Sequence, residues 1–240
     1  MSQPYDRAFY EKQQDGSIRS AEIVVPIVLE LAGLPTSVVD VGCGVGGWLS
    51  TFAAAGVTGI LGLDGGHVAR DMLRIPAECF RPTNLRRPFR IERRFDLALS
   101  LEVAEHLPNA RSAGFVADLV ALAPVVLFSA AIPGQGGTHH INEQWPDHWA
   151  ERFAGHDYLP IDAIRPRIWL NSAVQWWYCQ NLLLFAHVSA IEARGGLAEA
   201  RRNTRPQQLS LVHPRRYLMA EQKHRRLAEA FRELKAKGGN

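Results

Sequence analysis

The sequence predicts an α/β fold, a mostly parallel sheet covered by helices on both faces. Three observations predict it. Short apolar runs of strand length alternate with segments of helical period through the first 130 residues. The runs at 38–41 and 95–101 are nearly all apolar, as strands buried on both faces are. A glycine-rich turn joins the first such run to the helix that follows it.

The elements follow in chain order. Residues 19–33 read as an amphipathic helix stopped by Gly33 and Pro35. Residues 38–41 are a buried strand, 47–55 a helix, and 57–63 a second strand ending at Asp64-Gly65-Gly66. A helix is expected over 67–73 and a weak strand over 78–81. A clear strand at 95–101, a helix at 111–122 and a strand at 125–130 complete the alternation. Residues 133–160 are rich in Gly, His and Trp and read as an acceptor-site insertion. Two late strands are expected at 157–164 and 176–188, joined by a loop into a closing hairpin. Residues 217–236 read as a helix with a thin apolar stripe, Leu227, Phe231 and Leu234.

Composition narrows the function. The 240 residues carry 27 Lys and Arg against 24 Asp and Glu, a net +3. That balance hides a split: residues 201–240 hold 11 basic and 3 acidic side chains, so this segment carries +8 and the rest −5. An acidic body is a poor general nucleic-acid binder. Three scattered cysteines make neither a disulfide framework nor a zinc knuckle. No apolar run is long enough for a membrane span and no signal-peptide pattern opens the chain, so a cytoplasmic protein is expected.

The glycine loop runs Asp40-Val-Gly42-Cys43-Gly44-Val-Gly46-Gly47-Trp48. It fits two patterns. Gly42, Gly44 and Gly47 match the dinucleotide fingerprint, and Asp40 with Gly42, Gly44 and Gly46 matches the acidic loop of S-adenosylmethionine (SAM) enzymes. Asp64 ends the next strand and suits ribose hydroxyls in either case. Context separates them. A helix precedes the first strand, and Asp40 would repel a pyrophosphate but attract the sulfonium and ammonium groups of SAM.

With these residues the chain resembles the class I SAM-dependent methyltransferases. The matching pieces are DVGCGVGGWL (40–49), LDGG (63–66), FDLALSLEVAEHLP (95–108) and VVLFSAAIPG (125–134), in the family's order. The resemblance covers about residues 19–188. It implies a doubly wound, Rossmann-like sheet of seven strands, mostly parallel with an antiparallel last strand. It implies SAM as cofactor, with Asp40, Gly42, Cys43, Gly44, Gly46 and Trp48 around its methionine part and Asp64 and Gly65 at the ribose. Asn84 and Leu85 would take the adenine, and Ser100 and Leu101 the methionine side. An N-terminal lid segment carrying Tyr10 and Arg19, ahead of the first helix, would close over the SAM carboxylate.

Two clusters offer chemistry for the acceptor. Glu102, Glu105 and His106 fall at i, i+3 and i+4, which share one face on a helical turn. His139 and His140 follow the fifth strand, at the open sheet edge where substrates bind. EVAEH with a later His resembles metal-dependent O-methyltransferases of two groups, those of ubiquinone biosynthesis and the small-RNA 3′-end 2′-O-methyltransferases. That likeness implies a divalent ion on Glu102, Glu105, His106 and one of the two histidines, His140 preferred. General-base catalysis by His140, His139 or His106, with Glu105, is the alternative, and a structural helix start the bland one. Trp145 and Trp149, four apart beside the histidines, would wall the acceptor pocket, and Trp176 and Trp177 would be core and rim. His67, His148, His156 and His187 read as surface or packing residues.

The expectation is one methyltransferase domain over 1–190 and a basic helical extension over 191–240 packed on it. The expected acceptor is a small molecule, most of all a sugar, glycoside or secondary-metabolite hydroxyl. A second copy of the chain is a further expected partner, whereas a membrane or nucleic acid is not. RNA methylation and a non-catalytic SAM-fold scaffold are the rivals.

Overall fold

The computed structural model describes the backbone of residues 7–237 and the side chains of residues 16–235. Seven strands form one sheet: β1 (Ser37–Val41), β2 (Gly59–Asp64), β3 (Phe80–Pro82), β4 (Leu97–Leu101), β5 (Val125–Ser129), β6 (Tyr158–Ile161) and β7 (Leu183–His187). Their order is β3-β2-β1-β4-β5-β7-β6. The first five run parallel; β7 is antiparallel to both β5 and β6. The sheet order reverses between β1 and β4, so a crevice opens at the carboxyl ends of these strands, where ligands bind in sheets of this kind.

Helices cover both faces. Val24 and Val28 of α1 (Arg7–Ala32) and Leu49 and Phe52 of α2 (Gly47–Ala54) pack one face. Phe115 and Leu119 of α3 (Ser112–Leu122) and Phe153 of α4 (Pro146–Ala154) pack the other. The Asp96 carboxylate accepts from the backbone N–H of Thr36 (2.8 Å) and Ser37 (2.9 Å), which ties the start of β4 to the start of β1.

Several expected elements shift. The first helix begins at Arg7, not at 19, so Tyr10 and Arg19 lie within it rather than ahead of it. Its opening turns lack an apolar period. Instead Gly16 lets the Gln175 side chain press against the helix, and Ser20 Oγ accepts from the Gln175 backbone N–H at 3.0 Å. The helix expected over 67–73 shrinks to a 3₁₀ turn at Arg70–Met72. The run 176–188 divides into α6 (Trp176–Asn181) and β7, and α5 (Arg165–Ile168) also lies between the last two strands. Aromatic residues there signal a strand, but five of the six α6 side chains are buried, and that packing overrides propensity. The insertion 133–160 contains α4, and α7 (Val188–Ala193) and α8 (Gly195–Asn203) precede the final helix, α9 (Pro214–Lys237).

Buried Arg165 holds the C-terminal segment to the body. Its guanidinium pairs with Asp162 and donates to the carbonyls of Gln180 and Leu209, both at 2.8 Å. No helix among the described residues is long and apolar enough to cross a membrane.

Candidate active site

A cavity of about 1060 Å³ opens at the β1–β4 crevice. That is just above the roughly 300–1,000 Å³ of ligand sites, which suits a cofactor and an acceptor together.

One end is built by β1, the glycine turn and β2. Gly42 has φ +90°, and a Cβ there would meet Val103 at 2.3 Å. Only glycine fits both constraints, so Gly42→Ala should lower stability by about 1–3 kcal/mol and narrow the cavity, read as a drop in melting temperature and in ligand affinity. Gly46, φ +85°, caps α2 and sits outside the cavity wall against Ile75.

Asp64 braces this turn. Its Oδ2 accepts from the Gly44 N–H at 2.7 Å and its Oδ1 from the Gly65 N–H at 2.6 Å. Each oxygen keeps a lone pair for a ligand hydroxyl. Asp40 has no such support: its Oδ1 is buried without a hydrogen-bond partner. Burial, with the nearby Asp64 charge adding to it, pushes its carboxyl up to about 7. Burial also raises the Cys43 thiol, and Asp40 and Asp64 raise it further, so Cys43 is a wall group and not a nucleophile.

Trp48, Asn84, Leu85 and Leu101 line the same cavity. Asn84 Oδ1 accepts from the Arg86 N–H at 3.1 Å, which uses one of the two lone pairs of that oxygen. Ser100 is fully buried in β4 and outside the wall. Arg19 is exposed and also outside it; Ser17 and Ile18 of α1 line the cavity instead. Ser17 Oγ accepts from Trp48 Nε1 at 3.0 Å, so α1 does form one wall. The side chain of Tyr10 lies outside the described residues.

The other end collects the acid and histidine residues. Glu102 has φ +55°, a strained turn at the end of β4, and donates its N–H to Ser129 O at 3.0 Å. Its carboxylate accepts from Gln135 Nε2 (3.0 Å) and Asn181 Nδ2 (3.1 Å). Glu105 is fully buried; the backbone N–H groups of Glu105 and Ala131 and the Glu102 carboxyl approach its carboxyl, but none makes a well-formed hydrogen bond to it. Burial first, and Glu102 second, raise its carboxyl well above the usual range. Ligand atoms of Glu105, His106 and His140 lie within 4.8 Å of one another. Glu102 lines the cavity beside Glu105 and close to His140, but its ligand atoms are not among those that cluster within that distance.

His140 faces the cavity and His139 does not. The chain turns at His139 (φ +60°), and the His139 carbonyl lies 3.4 Å from His106 Nδ1. Nδ1 of His140 lies 2.9 Å from Glu143 Oε1, and Glu143 also accepts from the N–H groups of Gly134 and Gly136, both at 2.7 Å. One carboxylate thus holds both the imidazole and the loop beneath it. Burial, and His140 beside it, push His106 down to about 4, so it is neutral at physiological pH.

The tryptophans exchange roles. Trp149 is buried against Phe128, and Trp145 lines a separate hollow with Asp147, His148 and Glu151. Trp176 and Trp177 line the main cavity, with Tyr178 and Met219. His67 also lines it, 3.9 Å from Asp64. Gln135 and Asn181 carried no sequence signal, because each acts through a contact set by the folded chain; Glu143 lies three residues from His140, a local spacing that the run 138–149 already held.

Comparison with known proteins agrees with this architecture. The family described as "Methyltransferase domain" matches residues 10–181. No curated protein sequence matches the chain. Among solved structures, the chain is similar to the sugar N-methyltransferase KedS8 from Streptoalloteichus sp. at 16% identity and TM-score 0.59, covering 78% of this chain and 94% of that one. It is similar to magnesium protoporphyrin IX methyltransferase from Synechocystis at 16% identity and TM-score 0.53, covering 78% and 90%. It is also similar to the methyltransferase domain of a bacterial Hen1 at 19% identity and TM-score 0.51, covering 71% and 99%. Matched over most of its length and sharing this sheet order, the chain belongs to the class I SAM-dependent methyltransferases.

Proposed function

We propose that the protein methylates a hydroxyl of a small molecule, of the sugar, glycoside or secondary-metabolite kind, with a divalent ion at the acceptor end. The observation that carries this reading is Glu105: a fully buried carboxyl whose oxygens lack a well-formed hydrogen bond, clustered with two imidazoles. A buried carboxylate without partners is costly unless a cation meets it. Glu105, His106 and His140 would hold the ion, with Glu102 behind them. When bound, a divalent ion lowers the pKa of a coordinated hydroxyl and fixes neighbouring acceptor oxygens. The mixed nitrogen and oxygen donors suit Zn²⁺ or Mn²⁺.

At the other end Asp40 would meet the ammonium of SAM, Asp64 the ribose hydroxyls, and Asn84 with Leu85 the adenine. The acceptor oxygen attacks the methyl carbon in line with the sulfur–carbon bond. That bond breaks, the thioether leaves uncharged, and the hydroxyl proton is lost to solvent. The protein's part is alignment. Trp176 and Trp177 give the acceptor flat apolar walls, which suit a sugar face. The similarity to a sugar N-methyltransferase is in keeping with such an acceptor.

A second reading has its own observation. The His140–Glu143 pair is also the arrangement of a general base, with Nε2 taking the hydroxyl proton. Chelation separates the two. Exhaustive removal of divalent ions should abolish methyl transfer and its restoration by Mn²⁺ or Zn²⁺ should recover it; full activity after chelation would assign His140 as base. Glu143→Gln should reduce ion affinity and turnover about 10–100-fold while leaving SAM affinity unchanged, because it orients His140 from behind. Equal metal titrations for wild type and variant would contradict that role.

A further inference from the structure

Helix α9 stands out from the body. Tyr217, Leu227, Phe231 and Leu234 are 59–70% exposed on it. With Ala220 and His224, also exposed, they follow intervals of 3, 4, 3, 4 and 3 residues. That is the a/d seam of a two-stranded coiled coil, about 26 Å long at ~1.5 Å per residue.

The seam is narrow. A helix that lies in a membrane surface needs a broad apolar face, whereas a strict a/d stripe matches a partner helix. A nucleic acid would use the basic residues and leave the apolar stripe in water.

The seam also fits itself. Run antiparallel about a point between Arg225 and Arg226, it places Tyr217 opposite Leu234, Ala220 opposite Phe231, and His224 opposite Leu227. Small meets large in the Ala220–Phe231 layers, and all six positions of each helix find a counterpart. Arg225 and Arg226, nearest the centre, fall at the outward b and c positions, and Lys223 beside the seam meets Ala228 and Ala230 of the other helix, so like charges stay apart there despite the 8 basic residues of the helix. A parallel pair would stack Ala220 on Ala220 and His224 on His224, leaving a gap and two polar side chains face to face.

We propose that α9 pairs with α9 of a second copy of this chain as an antiparallel coiled coil. The start of α9 is fixed to the catalytic body: Arg216 donates to the Gly134 carbonyl, and Met219 lines the active cavity. The pairing therefore sets the partner's Leu234 beside Tyr217, two residues from the cavity mouth. The inference rests on helix geometry and does not depend on the acceptor or the metal.

The test uses the full-length protein in sedimentation equilibrium. A micromolar dimer is expected, and Leu227→Asp with Phe231→Asp should weaken it at least 100-fold. SAM affinity should stay unchanged, which shows that the body remains folded. Orientation is read from disulfides formed under mild oxidation. His224→Cys with Leu227→Cys should cross-link two chains, and His224→Cys alone should not. A monomer at all concentrations, a dimer indifferent to the Asp substitutions, or cross-linking by the single cysteine would overturn the proposal. So would a monomeric wild type that sediments with anionic lipid vesicles or RNA through these apolar residues.

Discussion

Asp40→Asn will raise the melting temperature of the ligand-free protein and remove its SAM binding. The carboxyl is buried, its Oδ1 has no partner, and burial sets its pKa at about 7 against 3.8 in the unfolded chain. The raised folded value means that this group's contribution to stability is full below the unfolded pKa. It is lost as pH rises toward and through about 7. At pH 8 the ionised carboxylate therefore costs stability, of the order of 3–5 kcal/mol at ~1.4 kcal/mol per pKa unit. An unpaired buried amide returns about 1–3 kcal/mol of that as a new cost. A net gain of roughly 1–3 kcal/mol should appear as ~2–4 °C per kcal/mol at this chain length. The gain should vanish below pH 5. SAM affinity of the wild type should rise with pH through about 7 and then level off, because a cationic ligand binds the ionised form. Scanning calorimetry from pH 5 to 9 and SAM titrations over the same range check both. A less stable Asn variant at pH 8 would show that Asp40 is held by something other than a ligand.

Glu105→Gln will leave the fold intact and remove the acceptor-end ion. Burial favours the protonated form of this carboxyl, and the amide matches it closely in shape and size. The backbone role of this residue is untouched, since its carbonyl still accepts from Ile141 (2.9 Å) and Asn142 (3.0 Å). A cation, however, loses its one formally charged ligand of the trio. Mn²⁺ or Zn²⁺ affinity should fall by more than ~100-fold, beyond the loss typical of an outer partner. Methyl transfer should fall with it while SAM titrates normally. Unchanged metal affinity would remove Glu105 from the ligand set.

Much of this was legible before folding. Alternating apolar runs placed β1, β2, β4 and β5, and the glycine turn placed the Asp40 and Asp64 carboxylates where the sheet order reverses. Those are local signals, carried by neighbours in sequence. What sequence reading missed depends on distant contacts. The aromatic run at 176–181 looks extended, yet burial of five of its side chains winds it into α6. The choice between His139 and His140 hangs on one positive φ at residue 139. The support of Glu102 by Gln135 and Asn181 joins residues up to 79 positions apart. Trp145 and Trp149 lie close to the histidines in sequence, but α4 turns Trp149 into the core and Trp145 toward another hollow. The basic C-terminal segment lies outside the motif-bearing region in sequence, yet its Met219 lines the cavity.

The most direct test of the account is a calorimetric titration of SAM into the wild-type protein and into Asp64→Ala. Wild type should bind one SAM per chain in the micromolar range, and the variant should bind at least tenfold more weakly, through loss of both the ribose contact and the brace on Gly44 and Gly65. No heat with the wild type, or equal affinity for the two proteins, would contradict the placement of the cofactor at this end of the cavity.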